Sequence, residues 1–147
     1  MKKIVVCVLL AVFVLSACAS APSTPQTNAE PASGEVPAGD ALFQIVKADG
    51  STFDVTLDAV KALPLAQLAA EGKVEEGPYL SDVLELAGVT EFAEVTLSGS
   101  SNPATLTYDQ VDENTILDFN NHGTMKLAST YIPKANWTKD VAQITVK

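Results

Sequence analysis

The sequence predicts an α+β fold, mainly β with short helices. Three observations support this. Segments of alternating apolar and polar residues outnumber helical windows from residue 42 onward. The two clear helical windows are brief, each opening at a polar cap residue and closing at Pro or Gly. Turn clusters such as Ala48-Asp49-Gly50 and Asn120-Asn121-His122-Gly123 separate the strand-like runs.

Taken in order, "LFQIVK" and "STFDVTL" flank Asp49-Gly50 and read as a β-hairpin, with Phe53, Val55 and Leu57 on one side of the second strand. Thr56 is placed to cap a short helix whose apolar side is Leu57, Val60 and Leu63, ended by Pro64. Residues 65–74 have helical propensity, with Gly72 as a stop. Gly77-Pro78 then breaks the chain. Ser81 is expected to cap a second helix, Asp82 to complement its dipole, and Leu80, Val83, Leu84 and Ala87 to form its buried side before Gly88 closes it. Beyond it, "EFAEVTLSG", "ATLTYDQV", "TILDFN" and "TMKLAST" read as strands, the second running into a turn and joined to the first by the loop "SGSSNP". Val141, Ile144 and Val146 mark a final strand. There is no internal repeat.

The chain before this domain carries address information. Lys2 and Lys3 precede an apolar run at residues 4–15, shorter than the roughly 20 residues of a membrane span and suited to a secretory signal peptide. "LSAC", Leu15 to Cys18, resembles the lipobox of bacterial lipoproteins. That resemblance implies cleavage after residue 17, a diacylglyceryl group on Cys18, and attachment to a bacterial membrane outside the cytoplasm. Each buried methylene contributes about 0.8 kcal/mol to such anchoring. Residues 18–41 comprise the lipidated cysteine and a Pro/Ala/Ser-rich tether, whose coil spans roughly 25 Å. Residues 42–147 form a single globular domain.

Charge limits the partners. The chain has 18 acidic residues, 9 lysines, no arginine and a formal net charge of −9. Loss of Lys2 and Lys3 makes the remainder two units more negative. Nucleic acid is excluded as a partner, because its binding rests on Lys and Arg at phosphates. No polybasic patch addresses anionic lipid, so the expected membrane contact is the N-terminal lipid. With Cys7 in the leader and Cys18 acylated, no disulfide holds the domain.

Three stretches together resemble a family. "FDVTLDAVKALP", "GPYLSDVLELAGV" and "YIPKANWTKDVAQITV" are similar, in order and approximate spacing, to segments of sulfite-oxidase-like molybdopterin-binding domains. The resemblance covers about residues 42–147. It implies that fold, and favours extended structure around Lys73–Glu75 over the helix that propensity suggests. It also implies molybdopterin as the family-based cofactor. The chemistry departs from the family, in which a cysteine thiolate binds molybdenum and arginines hold the pterin phosphate and anionic substrates. The domain has neither residue type, and a lysine does not reproduce the guanidinium fork. No cofactor is therefore expected.

Other chemistry is sparse. His122, the only histidine, lies in a turn and reads as facing water; no nucleophile-elbow spacing accompanies it. One histidine without a domain cysteine argues against a zinc site. Asp109, Asp112, Glu113, Glu75 and Glu76 lack calcium-loop spacing and read as solvated acids. Trp137 either packs in the core or lines a pocket with Tyr131 and Lys134. The candidate ligand-facing residues are Ser100, Asn102, Tyr108, His122, Tyr131, Lys134 and Trp137, with Cys18 for lipidation and no catalytic or metal-binding residue. The expected function is a membrane-anchored binding or accessory module. It uses the face near "SGSSNP" and Tyr108 for a small molecule or a membrane protein partner. A degenerate molybdopterin-type subunit serving a membrane redox partner and a structural envelope lipoprotein are the alternatives.

Overall fold

The structure is a computed structural model that describes residues 40–70 and 72–147. The leader, Cys18 and nearly all of the tether lie outside those residues. The fold is mainly β with two short helices.

The main sheet has five strands: β1 (Ala41–Val46), β2 (Thr52–Thr56), β5 (Glu94–Ser98), β6 (Ala104–Thr107) and β9 (Gln143–Val146), ordered β2-β1-β9-β5-β6. β1 and β9 are parallel and the other pairs antiparallel. β1 and β2 form the expected hairpin, with Gly50 at φ 83° in its turn. Inward residues of this sheet, Ile45, Val55, Val95, Leu97, Leu106 and Ile144, have no solvent exposure.

Helix α1 (Leu57–Lys61) follows β2 directly. Thr56 Oγ1 accepts a hydrogen bond from Ala59 N at 3.3 Å, the expected cap, and Val60 is buried. Helix α2 (Leu80–Leu86) buries Leu80, Val83 and Leu84 in the same core. Its N-cap is Tyr79, not Ser81, and has no side-chain capping bond. Tyr79 is held instead by a β-bridge to Ile116, and this contact sets where the helix starts. Gly88, at φ 71°, closes the helix as expected.

Two antiparallel ribbons stand beside the sheet: β3 (Ala66–Ala70) with β4 (Lys73–Gly77), and β7 (Thr115–Phe119) with β8 (Met125–Ser129). Residues 66–70 are therefore a strand, against their helical propensity and with the extended conformation the family resemblance favours around Lys73–Glu75. Pairing with β4 and burial of Leu68 under the second core cluster (Leu68, Ile116, Ala128, Trp137) decide the conformation. β6 runs into a turn as expected: Tyr108–Gln110 is a 3₁₀ turn with a capping box at Thr107 and Gln110.

The ribbons meet where β4 leaves into Pro78. Leu117 N donates to Pro78 O at 3.0 Å, and Glu76 N to Asp118 Oδ1 at 3.3 Å. A Cβ on Gly77 would lie 1.8 Å from Leu117 O. Residues 138–141 then run along β8, with Leu127 N bonded to Thr138 O and Val141 N to Met125 O, before the chain enters β9.

Gly77→Ala is expected to destabilise the domain by about 3 kcal/mol, because backbone on both sides must move. Urea unfolding monitored by circular dichroism measures this; a loss below about 1 kcal/mol would show that the two ribbons need no such approach.

Candidate functional site

The inward positions of β4 alternate, so Glu75 and Gly77 point under the ribbon while Lys73, Val74 and Glu76 are exposed. Glu75 is 1% exposed. The reading of this residue as a solvated acid is corrected: strand alternation carries it inward opposite Leu68. Its burial is made tolerable by lysines. Glu75 Oε2 accepts from Lys73 Nζ at 3.1 Å and from Lys126 Nζ at 3.0 Å. Lys126 Nζ also lies 2.9 Å from Asp118 Oδ2, its cross-strand neighbour on β7. Lys134 Nζ is 3.6 Å from Glu75 Oε1, which has no hydrogen-bond partner.

Burial alone would raise the Glu75 carboxyl. Hydrogen bonds from Lys126 and Lys73, with Asp118 adjacent, outweigh it and hold the group down to about 2, against an ordinary glutamate value of 4.5. The Lys126 ammonium answers in the matching direction: burial lowers it, but Asp118 and Glu75 prevail and raise it.

Above this cage sits Trp137, 4% exposed, with Lys134 Nζ 5.5 Å and Lys126 Nζ 6.0 Å from its ring centroid. The indole Nε1 donates to Ser129 O at 3.0 Å and Ile132 O at 3.3 Å. Trp137 thus packs in the second core cluster and also lines a cleft of about 540 Å³ with Ala69, Ala70, Tyr131, Ile132 and Lys134. Tyr131, also on the lining, donates from Oη to Asp112 Oδ2, and this bond raises the phenol's pKa. Burial opposes ionisation of Asp112, yet the bonds from Tyr131 and Asn114 keep its pKa low.

The remaining candidates lie elsewhere. Ser100 and Asn102 belong to the β5–β6 loop. Ser100 Oγ donates to Asp140 Oδ2 at 2.5 Å, and Asn102 O accepts from Thr138 Oγ1 at 3.1 Å. Bonds from Ser100, Thr124 and Asn120 keep Asp140 ionised and seated at φ 47°. His122 is exposed in the neighbouring β7–β8 turn, its N bonded to Asn120 Oδ1 at 2.9 Å. Tyr108 is exposed beyond the other end of the hairpin, against Phe92 at a centroid distance of 5.1 Å. The expected joint face of "SGSSNP" and Tyr108 is thereby corrected. The β5–β6 ladder separates them, with Leu97 opposite Ala104 at the loop end and Glu94 opposite Thr107 at the tyrosine end. Tyr131, Lys134 and Trp137 are brought together; Ser101 joins the loop to them through a 3.2 Å bond to Trp137 O.

No protein-family model matches the chain, and the search of curated proteins found no match. Among solved structures the chain is similar to the sulfane dehydrogenase SoxCD from Paracoccus pantotrophus, with a TM-score of 0.56 and 17% sequence identity. This likeness shows the fold. It is the sulfite-oxidase-like fold that the sequence resemblance implies. The match covers 71% of this chain and 37% of the SoxCD chain, so this chain spans well under half of that protein's length.

The residues of the domain do not fit the molybdopterin that this resemblance implies. Cys7 and Cys18 are the only cysteines and both precede the domain; arginine is absent from the whole chain. Among the described residues no group of His, Cys, Asp and Glu is assembled to hold a metal ion. Lys73 and Lys126 are engaged by Glu75 and Asp118 rather than open to a phosphate.

Glu75→Gln is expected to destabilise the domain at pH 7 by about 2–3 kcal/mol, less than for a fully enclosed pair because Lys126 keeps some solvent contact. The sign with pH follows from the depressed carboxyl. Its contribution is complete above about 4.5 and is lost as pH falls towards about 2. Urea midpoints measured between pH 7 and pH 2 should fall less steeply in the variant; parallel curves would remove Glu75 from the acid response.

Proposed function

We propose that this chain is a membrane-anchored extracytoplasmic lipoprotein whose domain is a non-catalytic binding or accessory module on a sulfite-oxidase-like scaffold. One observation carries the reading of the domain: the scaffold has an open cleft lined by Trp137, Tyr131 and Lys134, while the thiolate and guanidinium groups of a metallopterin site are missing from it. The lysines beside the cleft serve a structural carboxylate. A largely apolar cleft with one cation, one phenol and the hydroxyls of Ser129 and Thr130 among its described lining suits recognition of a small molecule. The signal-like leader and the lipobox at Leu15–Cys18 support the anchoring part of the reading.

The test is isolation of the full protein from membranes of its own host, followed by elemental analysis and native mass spectrometry. The expected results are no stoichiometric molybdenum, a mass increment of diacylglyceryl or triacyl type at Cys18, and a non-covalent small molecule on the domain. Cys18→Ser should move the protein to the soluble fraction. Stoichiometric molybdenum or pterin would replace this reading with that of a degenerate oxidoreductase subunit. Lipidated protein without any ligand or partner would leave a structural envelope lipoprotein.

A further inference from the structure

The Trp137 cleft carries a statement about ligand chemistry, which rests on the binding-module reading above. Three ammonium groups, Lys73, Lys126 and Lys134, face two carboxylates, Glu75 and Asp118. One positive charge is left over in an otherwise acidic protein. The geometry locates it. Lys73 and Lys126 hydrogen-bond Glu75 Oε2. Lys134 stands 3.6 Å from Oε1, beyond hydrogen-bonding distance, and Oε1 has no hydrogen-bond partner among the described residues. Glu75 therefore holds the Lys134 ammonium at the cleft by charge, without engaging its donors.

Among the described residues, Lys134 is also the charged side chain in the cleft lining. Its neighbours there are largely apolar: Ala69, Ala70, Ile132, Pro133 and Trp137. Elsewhere on the lining, the Tyr131 hydroxyl is bonded to Asp112, which carries negative charge. An anion entering the cleft is thus directed to the Lys134 end. The volume of about 540 Å³ lies within the ordinary range for small-molecule sites.

We infer that the cleft binds a small amphipathic organic monoanion, its apolar body against Ala70, Ile132 and Trp137 and its carboxylate-type head on the Lys134 ammonium. Phosphate-rich or multiply charged ligands are disfavoured, since a single excess positive charge meets them and the protein as a whole is acidic, with a formal net charge of −9.

Trp137 is the single tryptophan of the chain, so its emission reports directly on the cleft. The full-length protein is titrated at constant ionic strength and pH 7 with hexanoate, hexanamide and hexylammonium. These probes share a chain and differ in charge. Hexanoate should change Trp137 emission saturably, hexanamide should require at least about tenfold higher concentration, and hexylammonium should give no response. Lys134→Gln should bring hexanoate to the level of hexanamide, and Lys139→Gln should leave the titrations unchanged. Ala70→Phe should weaken both responses by filling the cleft. Equal binding of hexanoate and hexanamide, or an unaltered hexanoate response in Lys134→Gln, overturns the charge assignment while the binding-module reading stands. No saturable response to any probe overturns the inference too, and the ligand found on host-isolated protein then decides the broader reading on its own.

Discussion

The contact of Gly77 with the Leu117 carbonyl is the constraint on which the rest of the structure depends. At that point two ribbons approach so closely that no side chain fits between them. The approach aligns Pro78 O with Leu117 N and Glu76 N with the Asp118 carboxylate. It thereby converts two isolated hairpins, each marginal by itself, into a continuous layer beside the main sheet. Helix α2 starts immediately afterwards, at a residue fixed by the same junction. Glu75, Asp118 and Lys126 become neighbours only because β4 and β7 are held at this spacing.

A carboxylate in that position is costly unless it is paired, and three lysines contributed by β4, β8 and the turn before Trp137 surround it. The arrangement demands a defined register between the ribbons, since a slip of one residue would turn Glu75 to solvent and bring Glu76 or Val74 inward. The cage and the Gly77 contact thus specify the same pairing by two independent means, one electrostatic and one steric. Trp137 covers the cage from above, so the geometry of the cleft inherits its precision from the strands beneath.

Much of the domain was legible in the sequence. The Asp49-Gly50 hairpin, the Thr56 cap and the Gly88 stop follow from local chemistry that tertiary packing leaves undisturbed. Residues 66–70 were not legible from propensity, because Ala, Leu and Gln favour a helix; burial of Leu68 and pairing with Glu75 and its neighbours outweigh that preference. Ser81 has the right chemistry for a cap but stands one residue inside the helix, a matter decided by the Tyr79 bridge. The grouping of Tyr131, Lys134 and Trp137 was readable because they are close in sequence. Glu75 was missed. Its signal was present in the alternation Lys73-Val74-Glu75-Glu76-Gly77 once the stretch is taken as a strand, but its partners Asp118 and Lys126 are more than forty residues away.

The order of the main sheet has a kinetic consequence. β9, the last strand in sequence, occupies its centre and links β1, which it meets in parallel, to the β5–β6 hairpin. Until residues 143–146 are in place, β1–β2 and β5–β6 are two separate hairpins, each exposing one unpaired edge that is meant for the same partner. Loop closure between β1 and β9 spans nearly the whole domain, and such distant parallel pairing slows folding. A nascent chain therefore has no intermediate five-stranded sheet to rest in: it settles into its native layers only when residues 143–146 arrive as the keystone.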